Sequence, residues 1–192
     1  RKIAYNPLVE RGGRWEMDFA ALEALAREPD VRLMILCSPH NPVGRAWTRE
    51  ELERVGDICL RHGVTVVADE IHCEFVMPGH AYTPFATLGG EIARRAVSCV
   101  SPSKTFNIAG LQIANIVAPD DETRRRIDRA INLNEVCDVN PFGVAATIAA
   151  YTEGEPWLLQ LLDYIKGNYD FLAAYCCEHL PAFPVAELEG TY

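Results

Sequence analysis

What most constrains this chain is a recurrence of short apolar runs of strand length, set between stretches with helical periodicity. "VRLMILC" (31–37), "VTVVAD" (64–69), "RAVSCV" (95–100) and "IANIVA" (113–118) are nearly continuous in apolar residues. That is the pattern of strands buried on both faces. The helical stretches punctuate them. In "DFAALEALARE" (18–28), Phe19, Leu22, Leu25 and Ala26 share one face. In "TREELERVGDICLRHG" (48–63), Thr48 and Glu51 form a T-x-x-E capping box, Leu52, Val55, Ile58 and Cys59 make the buried stripe, and Gly63 supplies the stop. Asp120 caps a polar helix to about Glu135, and Asn140–Pro141 open another to about Tyr151. A second Pro-started helix runs from Glu155 to about Glu178, with Trp157, Leu158, Leu161, Leu162, Ile165, Tyr169, Leu172 and Tyr175 facing inward. "FPVAELEGTY" (183–192) reads as the start of a new strand. The alternation predicts an α/β fold, a three-layer α/β/α arrangement around a mostly parallel sheet.

The chain has 192 residues, enough for one domain with a substantial core. Hydrophobic residues at 49% and charged ones at 23% mark a soluble globular composition. The apolar runs are too short to cross a bilayer, so no membrane partner is expected. A formal net charge of −9 argues against a nucleic-acid backbone as partner. Seven cysteines (Cys37, Cys59, Cys73, Cys99, Cys137, Cys176 and Cys177) show neither C-x-x-C nor a cysteine–histidine metal pattern. They read as buried, reduced thiols in a cytoplasmic protein rather than a disulfide framework. Because Tyr192 falls inside an apparent element, the chain reads as a fragment.

Ligands of mostly parallel sheets bind beyond the carboxyl ends of the strands. Three strand ends here carry polar chemistry: "SPHNPVG" after 31–37, "DEIH" after 64–68 and "SPSK" after 95–100. Asn41, Asp69, His72, Ser101 and Lys104 are therefore expected to converge. Each has an ordinary reading alone: a turn at Asn41–Pro42, a helix cap at Asp69, a structural histidine, a surface lysine, serines that end a strand. Glu70 and Glu74 read as local hydrogen-bonding or solvated groups. The coincidence of strand ends outweighs these separate readings. A carboxylate directly after five apolar residues asks for a positive partner, and a protonated ring nitrogen would serve. A lysine in such a pocket can act as a nucleophilic amine. An amine nucleophile with an acid that holds a pyridinium is the arrangement pyridoxal 5'-phosphate requires.

Five words then become recognisable: "SPHNPVGRAWTREEL" (38–52), "VVADEIHCEF" (66–75), "SPSKTFNIAGLQ" (101–112), "AAYTEGEPWLLQLLDYIKGN" (149–168) and "LEGTY" (188–192). With these the chain resembles the fold-type I pyridoxal-phosphate enzymes of the class I/II aminotransferase superfamily. Within it the chain is similar to the MalY/PatB, or cystathionine β-lyase (C–S lyase), branch. The resemblance implies that Lys104 carries the cofactor, Asp69 meets the pyridine nitrogen and Asn41 lies beside the phenolic oxygen. Ser101 matches a phosphate ligand, with Ser103 beside it. His72 stands where many aminotransferases place a tyrosine, and Gln112 where many place a basic phosphate ligand. The resemblance further implies that residues 1–182 are a cofactor-binding large domain incomplete at its N-terminus and that 183–192 begin a small domain. It implies a small amino-acid substrate and a homodimer for the full-length enzyme. The implied reaction is β-elimination on sulfur amino acids; transamination uses the same residues and is the alternative.

Two other classes fit fewer residues. Ser101-Pro-Ser-Lys104 matches the S-x-x-K serine-nucleophile motif, but no S-D-N follows and "KTF" replaces K-T-G. A non-catalytic scaffold would keep the fold without the chemistry, whereas every cofactor contact matched within this span is retained.

Overall fold

The computed structural model describes residues 3–136 and 138–192; Cys137, counted among the thiols above, lies outside them. The chain opens with a hairpin of β1 (Val9–Arg11) and β2 (Arg14–Glu16), which the sequence reading missed. Gly12 and Gly13 join them with φ of 61° and 86°. Two successive positive φ values are what a two-residue hairpin turn of this hand demands, and glycine meets them without strain.

Helix α1 (Phe19–Ala26) starts where the Asp18 carboxylate accepts from the Ala20 and Ala21 N–H groups, and it buries Leu22 and Ala26. Strand β3 (Leu33–Cys37) leads to α2 (Arg49–Arg61), whose capping box is complete: Thr48 accepts from the Glu51 N–H while Glu51 accepts from the Thr48 N–H. Leu52, Val55, Ile58 and Cys59 are all buried, as the stripe predicts. Gly63, at φ 70°, ends the element. Then come β4 (Thr65–Asp69), the short α3 (Gly90–Arg94), β5 (Val97–Val100) and β6 (Asn115–Val117). Helices α4 (Asp121–Leu133), α5 (Pro141–Glu153) and α6 (Glu155–His179) complete the chain. Asp120 and Asn140 cap α4 and α5 as expected.

The sheet runs β3-β4-β5-β6, with the first two pairings parallel and β6 antiparallel. A mostly parallel α/β sheet is what the alternation required. Register decides which side chains share a face. Leu36 pairs with Ala68, and Ala68 with Ser98; one step on, Cys37 pairs with Asp69 and Asp69 with Cys99. Leu36, Val66 and Ala68 point into a core built with Leu22 and Ala26 of α1 and Leu52, Val55, Ile58 and Cys59 of α2. On the opposite parity, Leu33 and Ile35 are 53% and 73% exposed. Asp69 shares that second parity, at the carboxyl end of β4.

Two expectations need correction. The inward stripe of α6 is only partly covered: Leu158, Leu161, Leu162, Ile165 and Tyr169 are half-buried, whereas Trp157, Leu172 and Tyr175 are exposed. Periodicity reports which residues share a face, not whether anything lies against it. Residues 183–192 do not form a strand either. They make one isolated antiparallel bridge, Val76 with Gly190, and fold back onto the body of the protein. The described cysteines are unbridged, but Cys59 alone of the six is fully buried and Cys177 is exposed.

What holds the last segment is a buried ion pair. The Arg45 Nε donates to Glu189 Oε2 at 2.8 Å, both side chains being 1% exposed. Arg14 Nε donates to the other carboxylate oxygen, and the Ala46 N–H adds a third bond. Arg45 also reaches Glu51 at 2.8 Å and the Trp15 carbonyl. Burial alone would raise the Glu189 pKa, but the Arg45 guanidinium and the Ala46 N–H outweigh it and hold the carboxyl below its ordinary value. Backbone bonds from Glu189 and Gly190 to the Gly44 carbonyl, and from Thr191 to the Phe75 carbonyl, complete the attachment.

Candidate active site

Parallel pairing brings the ends of β3, β4 and β5 to one edge. Two bonds tie the loops beyond them: the Ser38 N–H donates to the Asp69 carbonyl, and the Glu70 N–H donates to the Cys99 carbonyl, both at 2.9 Å. Asp69 itself is half-buried, with one carboxylate oxygen accepting from the Ile71 N–H at 3.3 Å. This turn sends the chain back over the strand end and seats His72 beside it.

His72 is buried, 5% exposed, and its Nδ1 has no hydrogen-bond partner among the described residues. Its ring meets Phe75 at 6.4 Å and the edge of Tyr192 at 5.4 Å. Burial and the Lys104 ammonium hold the His72 pKa below its ordinary 6.5, while the Asp69 carboxylate opposes them. Lys104 is exposed, on a run of turns over 102–107 that follows β5.

Asn41 is exposed in the loop after β3. Its backbone N–H reaches the Cys37 sulfur, whose pKa is raised by burial and by nearby Asp69. Ser101 is buried: its Oγ donates to the Ile113 carbonyl at 2.6 Å and accepts from the Ser103 N–H at 3.1 Å. Ser103 is buried with it. A serine enclosed in this way is unlike an exposed nucleophile, and no helix starts at Ser101, so the S-x-x-K alternative loses its structural basis. Gln112 is exposed in left-handed backbone, φ 51°.

Some residues have roles that sequence reasoning did not assign. Glu70 is not solvated: it is 1% exposed and accepts from the Phe85 N–H at 2.7 Å. Burial pushes its carboxyl above the ordinary range, partly offset by that N–H and by the Tyr82 hydroxyl. Glu74 accepts from the Thr105 hydroxyl at 2.8 Å. Tyr192, at the far end of the chain, is carried onto His72 by the Arg45–Glu189 attachment. The T-x-x-E word flagged Glu51; nothing in the sequence paired Arg45 with a residue 144 positions away. A separate groove of about 490 Å³ lies between α6 and the loop holding Cys73, Met77, His80 and Tyr82, and none of the six predicted site residues lines it.

The site can thus offer an amine, a carboxylate and an unpartnered ring nitrogen at one sheet edge. This set fits a planar, protonated heterocycle bearing an aldehyde. Among the described residues no group of three or more His, Cys, Asp or Glu is arranged to hold a metal ion.

A family model described as "Aminotransferase class I and II" matches residues 2–192. Cystathionine beta-lyase PatB of Bacillus subtilis (strain 168) is 44% identical over 192 residues, which cover 100% of this chain and 50% of that protein. Among solved structures, the PLP-bound putative aminotransferase from Clostridium difficile 630 superposes with a TM-score of 0.96 at 40% identity, covering 100% of this chain and 49% of the other. The PLP-bound C-S lyase from Staphylococcus hominis in complex with L-cycloserine gives a TM-score of 0.90 at 34% identity, over 98% of this chain and 48% of that one. The chain spans about half the length of the curated relatives it matches.

Proposed function

We infer function from one premise: the chain belongs to the aminotransferase class I and II family. The parent protein of this chain is a pyridoxal 5'-phosphate-dependent C–S lyase that eliminates a thiol from the β-carbon of cystathionine or a related cysteine conjugate, leaving pyruvate and ammonia. The observation that carries this reading is that parallel pairing brings the strand ends bearing Asp69 and the Lys104 loop to one sheet edge, where buried His72 keeps an Nδ1 without a partner among the described residues.

When bound, pyridoxal phosphate supplies an electron sink for the charge that develops at the substrate α-carbon. Lys104 Nζ would hold the cofactor at its aldehyde and, as a free amine, would serve as the general base for the substrate Cα proton. Asp69 holds a proton on the pyridine nitrogen by accepting a hydrogen bond from it. His72 and Asn41 would hold the phenolic oxygen, and Ser101 and Ser103 the phosphate. Residues 1–182 form most of the large domain, and 183–192 lead toward a small one. The parent enzyme is a cytoplasmic homodimer acting on a small amino acid, with neither nucleic acid nor membrane as partner. No helix of the described residues is long and apolar enough to cross a membrane.

Transamination is the second reading, favoured by the similarity to a structure described as a putative aminotransferase. Incubating the full-length parent with cystathionine, with and without an α-keto acid, separates the two. Pyruvate formed without an acceptor supports elimination; a strict need for the acceptor ends it.

A further inference from the structure

Lys104 is exposed, yet its chain neighbours are held. On one side Ser103 is tied through Ser101 Oγ to the Ile113 carbonyl. On the other, Thr105 is 1% exposed, and its hydroxyl donates to Glu74 Oε2 at 2.8 Å. The next residue, Phe106, meets Tyr151 of α5 edge-on at 6.2 Å and Trp157 of α6 at 5.8 Å. The Glu74 carboxylate also accepts from the Cys73 thiol at 3.1 Å, and its charge helps raise the pKa of the Tyr151 hydroxyl, after burial. Glu74 thus gathers donors from two parts of the chain, its own loop and the Lys104 loop.

Its position makes this more than a local contact. Glu74 stands two residues after His72 and five after Asp69. Thr105 is bonded directly to Lys104 in the chain. The Thr105–Glu74 bond spans 31 residues and joins the loop after β4 to the loop after β5. A bond to a charged acceptor is shorter and stronger than one between neutral groups, which suits a fixed spacer.

We propose that Glu74 and Thr105 are a positioning pair that sets where the Lys104 amine stands relative to Asp69. Neither touches a reacting atom; both act through the backbone of Lys104. This assignment rests on the pyridoxal-phosphate reading only for its chemical purpose, because the spacing itself is a property of the protein.

The chain has three lysines, Lys2, Lys104 and Lys166, so amine signals can be resolved one by one. Reductive methylation with ¹³C-formaldehyde gives each a methyl resonance that reports its surroundings without any cofactor. Thr105→Val, which keeps the shape and removes the donor, is expected to displace and broaden the Lys104 resonance while Lys166 stays unchanged. Thr105→Ser, which restores the donor, is expected to return it to the wild-type position. If the valine variant melts at a lower temperature but leaves the Lys104 resonance in place, the bond is structural only and the proposal fails. Should that variant not fold, Glu74→Gln serves instead, since it keeps an acceptor but removes the charge: a smaller displacement is expected, and none at all overturns the pairing.

A second arm separates this from the cofactor reading. Pyridoxal 5'-phosphate followed by borohydride, applied to the full-length parent and read by peptide mass, is expected to mark Lys104 ahead of Lys166 in the wild type. Thr105→Val is expected to lower that preference about tenfold, since small misplacements of a reacting group are costly. Equal marking of both lysines in the wild type contradicts the cofactor reading, and the methyl resonances still decide the positioning pair.

Discussion

The two faces of the sheet differ more than their sequences do. Leu36, Val66 and Ala68 on one face are buried under α1 and α2, while Leu33 and Ile35 on the other are exposed, although all five are aliphatic. The strands read as buried on both sides, and the described residues supply a tight cover for one. Asp69 and Cys99 lie on the less covered parity, so the candidate site belongs to the face where this chain packs least. The covered face shows what holds the fold, and the other shows where the chemistry has room.

The contrast is most exposed to failure at the attachment of the last segment. Replacing Glu189 with Gln puts a neutral partner beside a buried guanidinium that keeps Glu51 as its remaining carboxylate, and breaking a buried pair costs up to about 3–5 kcal/mol. Urea denaturation measures it; a loss below about 1 kcal/mol would mean that the pair behaves as if it were at the surface. The sign of its pH dependence follows from the carboxyl being held below its ordinary 4.5. The unfolded chain takes up the proton first, so the stabilisation is complete above that value and falls away as pH drops through the folded-state value. In the Gln variant this loss on acidification should be smaller.

Leu52→Ala, at a position 0% exposed in α2, is expected to cost about 2–5 kcal/mol by the same measurement. Ile35→Ala, on the opposite face, is expected to cost within about 0.5 kcal/mol. Equal losses at the two positions would erase the distinction between the faces. Thr48→Ala removes the cap of the helix that covers the packed face, with an expected loss of about 1 kcal/mol. Far-ultraviolet circular dichroism during thermal melting would follow it; no loss would mean that packing alone fixes where α2 begins.

Features decided by neighbours in the chain were legible in the sequence. The Thr48–Glu51 box, the α2 stripe, the Asp120 and Asn140 caps and the strand ends depend on spacings of a few residues. The β1–β2 hairpin was missed although Gly12–Gly13 between two short segments is its signal; strands of three residues give too little alternation to notice. Contacts between distant segments left no trace to read. Nothing in the sequence pointed to the Arg45–Glu189 pair, to the Phe85 N–H as the donor to Glu70, or to Tyr192, read as lying inside an element, as a ring laid against His72. For α6, the apolar stripe was real but its cover was not encoded within it. Lys104 and Asp69 stood out because each follows an apolar run at a strand end, where topology forces convergence.

The central claim is that Lys104 and Asp69 address opposite ends of one heterocycle. A crystal structure of the full-length parent grown with pyridoxal 5'-phosphate tests it most directly. The account predicts density continuous with Lys104 Nζ and a ring nitrogen within hydrogen-bond distance of the Asp69 carboxylate. Cofactor density joined to a different lysine, or seated away from Asp69, would contradict it.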